Sequence, residues 1–218
     1  MSFVFRFVWA LLLLGWLASG AFVPDAARAQ DRHVTAYSLD DGLPQSQVSD
    51  VIQGQRGYLW LAIFGGGVTR FDGQDYQTLS EDDGLPSNAV MALHERADGT
   101  LWFGTRGGLA RYDGATLEAF TAEDGLPSEN IHALAEGPGG RLWLGTPEGV
   151  ATYDGTAFQR VAPDRIQETY LNSLAAQGDA LWIGGRDSLY RYDGTALAAV
   201  EGSPSGPMTM LTHEGSDT

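Results

Sequence analysis

Few side chains in this chain are arranged for covalent or metal chemistry. There is no cysteine, which excludes a thiolate nucleophile, a disulfide framework and a thiolate metal site. The histidines stand at 33, 94, 132 and 213, and no two have metal-ligand spacing. His94, Glu95, His132 and Glu136 are the only local material for a site in which imidazole and carboxylate share a metal. Serine and aspartate are plentiful, but no Gly-x-Ser-x-Gly elbow occurs. The acid pairs Asp40-Asp41, Asp82-Asp83 and Glu123-Asp124 offer oxygens that suit calcium, without the Asp-x-Asp-x-Asp spacing of a dedicated loop. Each of these acids also has a structural use, accepting backbone hydrogen bonds in a turn. No catalytic residue, metal or cofactor is expected.

The elements that would carry such groups repeat. Gly-Leu-Pro begins at 42, 84 and 125, Leu-Trp at 59, 101, 142 and 181, and aromatic-Asp-Gly at 71, 112, 153 and 192. A period of about 40 residues with several marks in step signals a repeat architecture. Within one unit, Val90 to Leu93, Leu101 to Thr105, Leu109 to Tyr112 and Thr116 to Phe120 are short apolar or alternating runs, punctuated by Asp98-Gly99, Gly107-Gly108 and Asp113-Gly114. Such runs read as hairpins, with no helical periodicity between them. Four strands in about 40 residues make one blade of a β-propeller. The fold class expected is all-β, with four-stranded blades at about 45–83, 87–124, 128–162 and 166–200. The last is degraded, since Ala162-Pro163-Asp164-Arg165 replaces the turn sequence.

The flanks differ from the blades. Residues 1–29 have the layout of a secretory signal peptide: Arg6, an apolar core from Phe7 to Leu17, and Ala27-Arg28-Ala29 as the cleavage site. An uncleaved membrane anchor is the alternative, because the apolar stretch has about 20 residues. Either way the partial propeller of 30–218 is exported, to a periplasmic or extracellular location. Residues 33–41 align with the last strand and exit turn of a unit, and 207–214 resemble a fifth first strand. About four complete blades with these two orphan strands imply an incomplete, open ring and a fragment of something longer.

Glycine at 29 positions, six Trp and eight Tyr fit a turn-dense, aromatic-packed protein. Trp60, Trp102, Trp143 and Trp182 are expected as packing between blades; the other reading is a sugar-stacking platform, which would need exposed rings. The net charge is −15, and all 13 basic residues are Arg. Such a surface repels phosphate backbones, which disfavours nucleic acid and anionic bilayers as partners. The loops between second and third strands, Phe64 to Gly67, Arg106 to Gly108, Pro147 to Gly149 and Arg186 to Ser188, fall on the same propeller face as the Gly-Leu-Pro turns. They lack the strand-to-helix context of a phosphate loop. Their variable members Phe64, Arg106, Glu148 and Arg186 are the candidate ligand-binding residues, against the plainer reading of solvated hairpin tips.

With GLPSNAV and ALHERADGTLWFGTRGGLARYDG and their copies laid out, the chain resembles the two-component regulator propeller repeats over about 33–200. It departs from their pattern at Leu61-Ala62-Ile63, at Gly184-Gly185 and at the turn lost over 162–165. The resemblance implies the extracytoplasmic sensor of a bacterial signalling receptor, in which propellers of about seven blades precede a further β-domain, a membrane helix and a cytoplasmic kinase or cyclase. No such output motif occurs before Thr218. By resemblance the chain is a non-catalytic ligand-sensing portion that binds a small molecule or glycan, with a second receptor chain as its partner and membrane contact only through a segment beyond it or an uncleaved anchor. The other readings are a protein-interaction scaffold and a secreted propeller lyase of the streptogramin-lyase type, for which His94, Glu95, His132 and Glu136 would be the site.

Overall fold

A computed structural model describes residues 35–161, 166, 171, 173–186 and 188–202. The chain divides into two units, Met1–Ala36 and Tyr37–Thr218. Of the first, Thr35 and Ala36 are described; both are exposed and without regular structure. The second is all-β, built as four antiparallel sheets of four strands in sequence order. The first blade holds β1 (Val48–Gln53), β2 (Leu59–Ile63), β3 (Gly67–Phe71) and β4 (Tyr76–Leu79); the second holds β5 (Val90–Glu95), β6 (Leu101–Thr105), β7 (Leu109–Tyr112) and β8 (Leu117–Phe120). The third holds β9 (Ala133–Glu136), β10 (Leu142–Thr146), β11 (Gly149–Tyr153) and β12 (Phe158–Val161), and the fourth β13 (Ser173–Gln177), β14 (Ala180–Gly184), β15 (Leu189–Tyr192) and β16 (Leu197–Ala199). First strands of successive blades touch, β1 with β5, β5 with β9 and β9 with β13, so they form the inner side of the array. The described blades stand in a row that does not close into a ring.

The sequence marks have separate mechanical tasks. Asp41, Asp83 and Asp124 each close a 3-10 turn, their Oδ2 accepting from the backbone N–H of Ser38, Ser80 and Thr121 at 2.7, 2.9 and 2.9 Å. The following Gly84 takes φ of +105°, which a side chain would strain. Leu85 and Leu126 then enter the joints between blades, each 4% exposed. At the outer hairpins Asp72, Asp113, Asp154 and Asp193 accept two backbone N–H groups apiece through Oδ1.

Those N–H donors hold the carboxyls of Asp72, Asp113 and Asp154 below their ordinary value and bring that of Asp193 to about 2. The folded state therefore binds fewer protons than the unfolded one. The stabilisation is present above the unfolded carboxylate value of about 3.9 and is lost as pH falls through the folded values. The melting temperature followed by circular dichroism is expected to fall steadily from about pH 4 to pH 2. Asp193→Asn keeps an acceptor oxygen without the titration and should flatten part of that slope; an unchanged slope would detach these hairpins from the acid sensitivity.

The core lies between blades, not within them. Trp60 packs with Leu93, Leu101 and Phe103 of the second blade, Trp102 with Leu134, Leu142 and Tyr153 of the third, and Trp143 with Leu181, Ile183 and Tyr190 of the fourth. Each indole thus belongs to a joint. The opposite face of the first blade has no such cover among the described residues. Val51 is 54% exposed where its counterparts Leu93 and Leu134 are 4% and 8%, and Leu59 is 37% exposed where Leu101 and Leu142 are 4% and 0%.

The outer strand expected over 33–41 is not formed among residues 35–38, which join no sheet. A fourth strand needs the third strand of its own blade, and the described residues supply none for it. Leu39–Asp41 instead forms the 3-10 exit turn, and Tyr37 rests edge-on against Phe71 at 5.1 Å. The signal peptide over 1–29 and the fifth first strand over 207–214 lie outside the described residues.

Candidate functional site

The candidate loop face is built by short hairpins braced from below. In the second blade the buried Thr105 hydroxyl donates to the carbonyl of Gly108 at 2.8 Å and accepts from the N–H of Gly107 at 3.1 Å. Thr146 does the same in the third blade, donating to Gly149 at 2.8 Å and accepting from Glu148 N–H at 3.2 Å. Each loop is tied to the segment that joins its blade to a neighbour. Arg106 N–H donates to the carbonyl of Ala89, Gly67 N–H to that of Asn88 and Ile131 N–H to that of Thr105, at 3.1, 3.0 and 2.8 Å. Glu81 and Asn88 exchange hydrogen bonds of 2.9 and 2.7 Å across the Gly-Leu-Pro turn, holding that segment in place.

On this frame Phe64 and Arg106 meet. The Arg106 guanidinium lies 4.8 Å from the centre of the Phe64 ring, and Phe64 bridges to Ala89. Arg106 is exposed and Phe64 half-buried, so the pair presents a cation and an aromatic face at the entry of the first joint. Glu148 and Arg186 are exposed on the corresponding loops of the third and fourth blades. The structure shows neither in contact with the Phe64 and Arg106 pair. Sequence position alone grouped the four residues; two of them are brought together.

The His and Glu set is dispersed. Glu136 Oε2 accepts from Arg96 Nε at 3.0 Å and lies 3.9 Å from His94 Nε2. Arg96 also donates to the carbonyl of Gly140. Burial pushes the His94 imidazole below its ordinary pKa, while Glu136 pulls the other way. Glu95 Oε2 instead accepts from the N–H of Gln55 at 2.8 Å. His132, at the opposite end of β9 from Glu136, sets its Nε2 2.9 Å from Asn130 Oδ1. The four side chains do not converge on one point. Among the described residues no group of three or more His, Asp or Glu is placed to hold a metal, and no helix is long and apolar enough to cross a membrane.

A second recess escaped the sequence reading. It lies between the first and second blades, on the side of the β1–β2 and β5–β6 turns, and is lined by Arg56, Tyr58, Trp60, Arg70, Glu95 and Tyr112 among others. It differs from the second joint at Gly54, Gln77 and Leu79, where that joint has Arg96, Glu118 and Phe120.

Comparison with known proteins follows the same lines. The sequence pattern of the two component regulator propeller family matches residues 84–107 and 125–148. No curated protein matches the chain. Among solved structures, the extracellular domain of BT4673 from B. thetaiotaomicron superposes with a TM-score of 0.63 at 16% identity, covering 74% of this chain and 25% of that one. The extracellular domain of BT3049 from the same organism, described as a hybrid two component system, gives 0.53 at 15% identity over 80% of this chain and 31% of its own. Virginiamycin B lyase from Staphylococcus aureus gives 0.59 at 15% identity over 74% and 58%. The chain therefore spans between a quarter and about three fifths of the length of these structures, and at such identities the likeness is one of fold. The family pattern thus matches parts of the second and third of the four repeats, and the four-stranded blades into which all four fold are similar to those of the regulator propellers.

Proposed function

We propose that this chain is a ligand-sensing portion of an exported bacterial signal-transduction receptor, binding a small molecule or glycan on its loop face and acting without catalysis of its own. The observation that carries the reading is the Phe64 and Arg106 pair, a cation over an aromatic ring held on braced loops at a blade joint, in repeats of a regulator family. Extracellular domains among the structures of like fold support the location. Ligand contact with two neighbouring blades would favour one setting of their joint over another, which is a population shift and not a reaction. The lyase reading lacks a comparable support, because His94 and His132 lie at opposite ends of the inner strands.

A thermal-shift screen of the chain against glycans and small metabolites is expected to yield a stabilising ligand. Arg106→Ala should weaken that ligand about tenfold, about 1.4 kcal/mol, with the circular dichroism spectrum unchanged. A ligand indifferent to Arg106 would remove the loop face from the reading, and a substrate turned over by the purified chain would end it.

A further inference from the structure

The first joint differs from the second at several places. In the second joint Phe120, Phe158, Tyr153 and Trp102 fill the space between blades. At the corresponding places the first joint has Leu79, Leu117, Tyr112 and Trp60, with two smaller leucines where the second joint has phenylalanines. Arg96, which reaches across the second joint to Glu136, corresponds to Gly54 in the first. Arg111 is neutralised by Glu118 at 2.8 Å, whereas its counterpart Arg70 meets Gln77, whose Oε1 accepts from Arg70 Nη2 at 2.6 Å. Each change opens the first joint or leaves its cation without an acid.

The result is a cleft of two chambers that share Trp60, Arg70 and Tyr112 as walls. The outer one, about 140 Å³, is completed by Gln77, Thr78 and Leu79; the smaller, about 40 Å³, includes Arg56 and Tyr58. A cavity near 150 Å³ takes a single six-membered ring. Arg70 stacks on Tyr58, 4.4 Å from the ring centre, which fixes its guanidinium between the chambers. The two acids of the cleft are occupied: Glu95 Oε2 accepts from Gln55 N–H, and Asp113 Oδ1 from the N–H groups of Ala115 and Thr116. The hydroxyl of Tyr112 donates to the carbonyl of Gly114. No carboxylate lies within ion-pair distance of Arg56 or Arg70 among the described residues. In the third joint Thr152 stands where Arg70 does, and Tyr192 lies over Trp143 at 4.8 Å.

We propose that the cleft between the first and second blades binds a small organic anion, a single ring bearing a carboxylate, with the ring between Trp60, Leu79 and Tyr112 and the carboxylate on Arg70. Arg56 adds a second positive charge at the mouth. The guanidinium fork suits a planar carboxylate, and the apolar walls suit a ring face. The site is separate from the loop face and stands whether or not the sensor reading does.

Benzoate and glucuronate, as flat and sugar-like rings, are titrated calorimetrically into the purified chain, with benzamide and glucose as their neutral partners. At least one acid is expected to saturate the site below about 10 mM, and to bind at least about tenfold more tightly than its neutral partner. Gln77→Glu supplies the acid that Arg111 has in the next blade and should cost that probe about tenfold without changing the cavity. Leu79→Phe supplies the ring found at Phe120 and should abolish binding while holding or raising the melting temperature. Arg106→Ala should leave the titration as it was, which separates this site from the loop face. The proposal is overturned if neither acid binds, if the neutral compounds bind equally, or if folded Leu79→Phe or Gln77→Glu protein binds as before.

Discussion

Replacing Trp102 by alanine is expected to lower the unfolding free energy by about 3–5 kcal/mol in a denaturant titration. Trp102 is 1% exposed and sits in the second joint, 5.9 Å from the ring of Phe120 and edge-on to Tyr153 at 5.5 Å. Its loss leaves a hole bounded by two blades, and neither can close it alone because each is held in its own four-stranded ladder. Trp102→Phe should cost less, no more than about 2 kcal/mol, for a specific reason. The indole N–H of Trp102 is buried and meets no acceptor among the described residues, so removing it leaves no protein group there unpaired. Trp182 is only half-buried, and Trp182→Ala should fall well below Trp102→Ala. Equal losses at 102 and 182 would mean that the joints do not carry the stability.

The second large effect belongs to a backbone position. Gly108 has φ of +141°, and a methyl group there would collide with the carbonyl oxygen of Phe120 and press on Pro86. Its own carbonyl accepts from the Thr105 hydroxyl and N–H, so the loop cannot shift without losing that brace. Gly108→Ala is expected to cost at least about 3 kcal/mol, combining backbone strain with the collision. Gly114 provides the comparison. It too has positive φ, +100°, but the nearest atom to an added Cβ is Arg56 Nη1 at 3.8 Å. Gly114→Ala should therefore show the conformational term alone, about 1–2 kcal/mol. Melting temperatures of the two variants side by side test this, and similar values would refute the steric part.

Much of the architecture was legible because every blade has the same tasks to perform. Asp113 with Gly114 has to turn a hairpin, Leu85 has to enter a joint and Trp102 has to fill it, and each task admits few residue types. Repetition then makes the pattern readable at positions where one copy alone would be ambiguous. The strand expected at 33–41 shows the limit, since Val34 to Tyr37 have strand-like sequence but pairing depends on a neighbour elsewhere in the chain. The site was harder for the same reason. That Arg106 lies over Phe64 follows from how two blades are set against each other, which no local pattern encodes, and Glu148 and Arg186 hold equivalent loop positions without meeting them. The cleft at Arg70 was hidden because most of its lining is ordinary for the repeat: Gly54, Gln77 and aliphatic Leu79 correspond to Gly137, Gln159 and Val161 in the third blade, and only the second blade has Arg96, Glu118 and Phe120 there. What sets the first joint apart is the combination of Arg70 with an uncharged partner, since the second blade pairs Arg111 with Glu118 and the third has Thr152 at that place.

Because cohesion resides in contacts between neighbours in a row, the free energy of this fold is close to a sum of blade terms and nearest-neighbour terms. The second and third blades are flanked on both sides and the first and fourth on one side only among the described residues. Opening therefore works inward from the margins like a zipper. The amides of β5 and β9 are the last to exchange with solvent, and the first blade, whose Val51 already faces water, is the first to let go.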